Sequence, residues 1–448
     1  MLTHSANGDP RLALWRRVRE YAVPPTMIET ATTRRLAGDW AGACAAAGVD
    51  VDIRLRDVAR GHGRELADRL REDLHRLAPD LLRWHLPRTA PDGLLRPGLT
   101  MALARYRSDR PVFLVVRTPP AWADYEQRIS LALTDGPAPD AHPHPRPGRR
   151  FRLDLHRHLW DAERGPELRL RAGDGGPKDD APTAPTGLRC AVDRWAVEAR
   201  LLLRADGLAS GPVVVRLGRR HRLLLDPETD ALAPVPDGLD VHRLPVLPDP
   251  AVWVPPDLDL LRAGAIEADR LHPLVAAALT PGGPHHRPIG PSGPVGPVGP
   301  DEPWLVECRG ARHRIGVVDG RLTPLDHDPA QLRREELLAA LSGTALPCLR
   351  AVHRAHRAPH DLDEVRERLR HGDTAGALAV VEALLGPDAA LPTGALRDEL
   401  EAAAERRTAY RLYRAGLDGP APDGPRRAHH ASAPRHSRSR TRTRAAAR

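Results

Sequence analysis

The densest run of groups able to do chemistry is AVHRAHRAPHDLDE, residues 351–364. His353 and His356 stand three apart, so on a helix they share a face, with His360, Asp361, Asp363 and Glu364 beyond them. Two imidazoles and a carboxylate, His353, His356 and Asp361, could hold zinc. Against this, Arg354 and Arg357 sit beside the histidines and Pro359 breaks a helix before the third ligand. Surface histidines on an arginine-biased helix are the competing reading, and no metal, cofactor or catalytic residue is assigned. HRHLWDAE (His156, His158, Asp161, Glu163) and LDHD (Asp326, His327, Asp328) could supply acid–base pairs. With 22 histidines in the chain, however, histidine beside acid arises without selection for catalysis. Cys44 lies in an alanine-rich helix and reads as a small packing residue.

Several common chemistries are disfavoured by what is missing. The only lysine is Lys178, in GGPKDD, so no GxxxxGK[ST] phosphate loop exists. A strand lysine of the kinase type, or a Schiff-base lysine, would have to be Lys178 itself. No GxSxG elbow, HExxH helix or GxGxxG following a strand is present.

Composition narrows the class further. The 448 residues are 41% hydrophobic and 28% charged, enough for a buried core, but only 3% aromatic. One lysine and one asparagine beside abundant Ala, Arg, Pro and Gly mark a GC-rich coding bias. The arginine excess is therefore weak support for phosphate recognition. The charge is also local: residues 425–448 hold eight arginines and no acid, equal to the whole chain's +8. The rest of the chain sums to zero and has no net field to draw nucleic acid. Only the tail, which lacks aromatics for base stacking, could make salt-sensitive phosphate contacts. Four scattered cysteines without CxxC spacing, no apolar signal core at the N-terminus and no run of ~18 apolar residues imply a cytoplasmic protein with no membrane partner.

The elements that must position these groups are mixed. Asp9-Pro10 starts a helix, and Thr26–Glu29 reads as a capping box. Leu66, Leu70, Leu74 and Leu77 predict one amphipathic helix over RELADRLREDLHRLAPDLL. PVFLVVRT and QRISLALT read as strands, as do WAVEARLLLR, GPVVVRL and RHRLLLD. PPDLDLLRAGAIEADRLHPLVAAALT returns to helix. The run GPSGPVGPVGP, 290–300, is too short for a collagen triple helix and reads as a semi-rigid spacer. Beyond it, WLVECRG and HRIGVVDGRLTPL predict strands with Asp319-Gly320 as a hairpin turn, and Asp328 caps a helix. Helices over DLDEVRERLRHGDTAGALAVVEALLG and RDELEAAAERRTAYRLYRAGL complete the ordered part.

One internal echo stands out. LAGDWAGACA (36–45) and RHGDTAGALA (370–379) share Gly-Asp-x-Ala-Gly-Ala-x-Ala in one register. Each reads as the corner of a helical hairpin, with Gly38 or Gly372 ending one helix and Asp39 or Asp373 capping the next. Two readings stay open: a binding repeat, or two unrelated corners sharing capping chemistry. RRLAGDWAGACAAAGVDVD, LAPDLLRWHLPR, PDLDLLRAGAIEADRLHPLVAAAL and VECRGARHRIGVVDGRLTP resemble segments of uncharacterised actinobacterial proteins. Some of those proteins continue, after a Gln-His-Gly-Asp-Thr element, into ankyrin repeats. The resemblance spans about 26–385; here the element is Arg370–Thr374 and no ankyrin signature follows. It implies an adaptor-like context.

The expectation is an α+β protein with a helical N-terminal region, central short antiparallel strands, and a C-terminal β-hairpin plus helices before a disordered basic tail. The boundaries are a mainly helical domain 1–133, a proline-rich linker 134–150, a mixed region 151–280, a spacer 281–303, a hairpin-plus-helices domain 304–417 and the tail 418–448. The expected function is a non-catalytic cytoplasmic module that binds another protein through helical-hairpin surfaces. The alternatives are an enzyme of unrecognised type at His353/His356/Asp361, and nucleic-acid binding through the tail.

Overall fold

Prolines set several of the helix boundaries in this chain. The computed structural model describes residues 9–106, 111–135, 142, 144, 146–173, 188–218, 221–280, 304–308, 311–318, 321–324, a few single positions to 337, 359–385 and 394–417. Helix α1 (Pro10–Arg17) follows Asp9, whose carboxylate accepts the Arg11 N–H at 2.9 Å, and runs into a π-turn over Val18–Ala22. Helix α2 (Pro25–Leu36) is capped by Pro24 and starts on Pro25, because the fixed proline φ already suits a first turn. Thr26 thus lies inside the helix, its carbonyl accepting from Thr30 Oγ1 at 2.8 Å, and the expected Thr26–Glu29 capping box does not form.

Helix α3 (Trp40–Ala46) leads into strand β1 (Val49–Val51), followed by helices α4 (Leu55–His62), α5 (Arg64–Arg76) and α6 (Pro79–His85). The leucines at 66, 70, 74 and 77 are buried as their spacing predicts. The single helix expected there nevertheless breaks at Leu77–Ala78, both extended. Pro79 causes the break, since its ring disfavours helical geometry at the preceding residue. The Ala78 N–H is paired instead with the Trp160 carbonyl at 2.7 Å.

Strands β2 (Arg88–Thr89) and β3 (Leu94–Leu95) form a small hairpin ahead of β4 (Thr100–Tyr106), β5 (Val112–Arg117) and β6 (Ile129–Thr134). The largest sheet runs β1-β6-β5-β4, with β1–β6 parallel and the other pairs antiparallel. It lies within the region expected to be mainly helical. Strands β5 and β6 stand where the alternating apolar runs predict them. Strand β4, TMALARY, is rich in helix formers and escaped that pattern because it is buried on both faces, exposing only Arg105.

Helix α7 (Leu168–Arg171) precedes helix α8 (Val192–Ala205), which replaces the strand expected over WAVEARLLLR. Trp195, Ala199, Leu202 and Leu203 fall at helical spacing on one buried face, and the Leu-Leu-Leu run hid that period. Strands β7 (Val213–Arg216), β8 (Arg222–Asp226) and β9 (Ala231–Pro234) form an antiparallel sheet that shares this core. Helices α9 (Asp249–Val252), α10 (Pro256–Arg262) and α11 (Pro273–Leu279) follow. One apolar cluster extends from Cys44 through Leu114 and Trp160 to Ala278, drawing on both sides of the 134–150 stretch.

Strands β10 (Trp304–Cys308), β11 (Ala311–Val318) and β12 (Arg321–Pro324) make a third antiparallel sheet. Helices α12 (Pro359–His371), α13 (Thr374–Leu385) and α14 (Ala395–Arg414) have a separate small core of Val365, Leu369, Ala377 and Val381. The fold is α+β. No helix among the described residues is long and apolar enough to cross a membrane. The expected spacer 281–303, the tail 418–448 and the Asp319-Gly320 turn lie outside the described residues.

Candidate functional site

His353, His356 and His327 lie outside the described residues, and of Asp361 only its place in α12 is described. Among the described residues no three His, Cys, Asp or Glu side chains are grouped to hold a metal ion. Asp328 accepts the Ala330 N–H at 3.0 Å, the capping role its position predicts.

Of the HRHLWDAE residues, His156, His158 and Asp161 are buried, whereas Glu163 is exposed and pairs with Arg76 at 3.0 Å. Asp161 is fully buried and accepts Arg157 Nε at 3.0 Å and the Glu163 N–H at 3.0 Å. His156 lies 3.4 Å from Glu198, which takes Arg171 in a two-point pair at 2.5 and 2.6 Å. Burial alone would raise the Glu198 carboxyl, but hydrogen bonds from His156 and Arg171 outweigh it and pull it down to about 2. His158 is held neutral by burial, with His156 and Arg171 adding repulsion. These groups hold structure in the apolar interior. The Cys44 thiol is pushed up to about 12 by burial, which makes it a packing group rather than a nucleophile.

The two Gly-Asp corners, by contrast, share one construction. Gly38 has φ +79° and Gly372 φ +88°, the left-handed turn that ends a helix. The Asp39 N–H donates to the Arg34 carbonyl at 2.9 Å, and the Asp373 N–H to the Arg368 carbonyl at 2.8 Å. Each carboxylate then caps the next helix: Asp39 accepts the Gly42 N–H at 2.8 Å and Asp373 the Gly376 N–H at 2.9 Å. Its second oxygen takes a guanidinium, Arg34 at 2.8 Å or Arg368 at 2.6 Å. A Cβ on Gly42 or Gly376 would stand 2.7 Å from the aspartate carboxyl carbon, so a larger residue at either position would displace the capping carboxylate and its arginine. The shared unit is thus Arg-x-x-x-Gly-Asp-x-x-Gly. Reading the echo from the glycine onward missed the arginine, although it stands at the same offset in both copies.

What surrounds the corners differs. A Cβ on Gly372 would stand 2.6 Å from the Glu126 carbonyl carbon and closer still to its oxygen. The second corner is therefore seated on a turn of the body in which Glu126 and Gln127 both have φ +49°. Thr374 donates to the Glu126 carboxylate at 2.5 Å, and Tyr21 stacks on His371 with ring centroids 6.0 Å apart. Along α14, Tyr410 donates to Asp50, Arg414 pairs with Asp52, and Tyr413 meets Trp122 edge-on. A Cβ on Gly38 would have no described neighbour within 4 Å, and nearby Leu36 is 74% exposed.

Arg83, 1% exposed, locks this junction. Its guanidinium donates to the carbonyls of Ala22 at 2.9 Å, Gln127 at 2.7 Å, Glu126 at 3.2 Å and His371 at 3.1 Å, with Ala47 at 3.5 Å. Ala22 closes the π-turn, Ala47 ends α3 and His371 ends α12. One cation thus faces the negative ends of three helices, where its charge is stabilising. Burial pulls its pKa down to about 10, with Arg128 adding repulsion, and it stays protonated at neutral pH. No pattern around LLRWH marks it in the sequence, because its partners are spread from residue 22 to residue 371. Compared with known proteins, the chain matches no family model, no curated protein and no solved structure.

Proposed function

We propose that this chain is a cytoplasmic, non-catalytic interaction protein of adaptor type, in which the Gly38 corner receives a turn of a partner protein. One observation carries the reading: two corners of the same construction occur, one seated on the turn at Glu126 and the other exposed, with no described neighbour within 4 Å of where a Cβ on its glycine would stand. The seated corner is a worked example of what the construction accepts, a tight turn presenting a backbone carbonyl. Trp40 stands where Thr374 stands in the second corner, so the partner's turn is expected to carry an apolar side chain in the place of Glu126. The resemblance to actinobacterial proteins, some with ankyrin repeats beyond the second corner, fits the same reading.

The test is a photo-crosslinking amino acid at position 36 of the full chain, with one at the equally exposed Leu170 as control. The expected result is a single protein captured from position 36, joined through a tight turn, and not captured from 170. Equal or absent capture at the two positions would count against the proposal.

A further inference from the structure

A second site stands apart from the corners. A cleft of about 350 Å³ opens where the start of β4, the segment up to Phe151, strands β7 and β8 and the loop at 241–246 meet. That volume suits a small molecule. Its apolar lining includes Leu99, Phe151, Val214, Val241 and Val246. Its charged lining is Arg146, Arg149, Arg150, Arg216 and Arg222, with no carboxylate among the described lining residues.

Two of these guanidinium groups have partners. Arg149 donates to the carbonyls of His242 and Leu244, both at 2.7 Å, and so ties the loop down while keeping its charge. Arg150 pairs with Asp249 at 2.5 Å. The other three, Arg146, Arg216 and Arg222, make no hydrogen bond or ion pair among the described residues, and Arg216 Nε is buried without a partner.

The strand register sharpens the point. Arg216 and Arg222 are directly opposite each other on β7 and β8. Like charges placed so are destabilising, and at Arg216 Arg150 adds to the repulsion while Asp249 offsets part of it. An anion between them turns that cost into binding. A single carboxylate would leave most of the local charge uncompensated. A phosphate monoester carries nearly two charges and three acceptor oxygens, one for each free guanidinium, and arginine forks match its geometry.

We infer that this cleft binds the phosphate group of a small organic phosphate, held by Arg146, Arg216 and Arg222, with the organic part against the apolar lining. The test is calorimetric titration of the full chain with phenyl phosphate, inorganic phosphate and benzenesulfonate. Phenyl phosphate is expected to bind tightest, about tenfold or more above the singly charged sulfonate of the same shape. Arg216→Thr should weaken it about tenfold or more without lowering the melting temperature, since it also removes a like-charge pair. Arg146→Ser, at an exposed loop position, should weaken it in the same direction with the fold untouched. Equal binding of sulfonate and phosphate, or indifference to both substitutions, would overturn the assignment. Inorganic phosphate binding as tightly as the ester would remove the apolar half of it. A duplex oligonucleotide that binds the cleft more tightly than the ester would replace the small molecule with nucleic acid.

Discussion

The corner at Gly38 and the corner at Gly372 are built alike and used differently. Both end a helix on a left-handed glycine, cap the next on aspartate and clamp that aspartate with an arginine five residues back. One is exposed; the other is pressed against the Glu126 carbonyl. The difference teaches that the motif specifies a shape, and that its occupant is supplied from elsewhere in the fold or from outside it. The arginines divide in the same way. Arg83 is surrounded by carbonyls from three helix ends, whereas Arg216 and Arg222 stand side by side on paired strands, like charge beside like charge.

The largest effect that would break the comparison is expected at Arg83, which touches helix ends of both hairpins through Ala47 and His371. Arg83→Met leaves several buried carbonyls without donors and should cost on the order of 4 kcal/mol in urea unfolding. Gly372→Ala comes next. The new methyl group meets backbone that cannot swing aside, so a loss of about 3 kcal/mol and early proteolysis within α12–α14 are expected. Gly38→Ala meets no neighbour and should cost only about 1 kcal/mol, for its positive φ. Equal losses at the two glycines would show that the second corner is not seated as described.

A pH comparison separates the corners more finely. Burial holds the His371 imidazole below its ordinary range; Glu367 opposes this, while Arg88 and Arg83 reinforce it. The unfolded chain takes up a proton near pH 6.5 that the folded state resists. Stability from this group is therefore full above that pH and is lost as pH falls towards the folded value. Amide exchange in α12–α14, corrected for intrinsic rates, should quicken between pH 7 and 5, and His371→Gln should abolish the change. No histidine stands in the first corner itself, so His371→Gln should leave exchange in α2 and α3 unchanged. Smallest of all, Leu36→Asp should leave stability within about 0.5 kcal/mol while abolishing co-purification of the protein identified by crosslinking at that position.

The features legible in the sequence were those whose causes lie close together in the chain. Asp9-Pro10, Gly38-Asp39, Gly372-Asp373 and Asp328 each act within a few residues, and each does what its spacing predicts. The errors came where a neighbour or a tertiary surface overrode the local pattern. Pro25 moved the start of α2, and Pro79 split the helix that the leucines at 66–77 seemed to carry on. Burial on both faces concealed β4, and three consecutive leucines disguised α8 as a strand. In HRHLWDAE, His156 lies beside Glu198, which stands far along the chain and pairs with Arg171, and His158 is buried without use in chemistry.

By itself, then, the sequence determined that two helical hairpins turn on the same corner, because capping and left-handed glycine are settled by hydrogen bonds spanning about five residues. Only the tertiary structure decided that one corner is filled and the other open, that Arg83 reaches a carbonyl 288 residues away, and that Arg216 and Arg222, paired on neighbouring strands, line the same cleft as Arg146. Those relations depend on which surfaces meet when the apolar core closes, and a side chain's local sequence carries no record of the distant group it will meet.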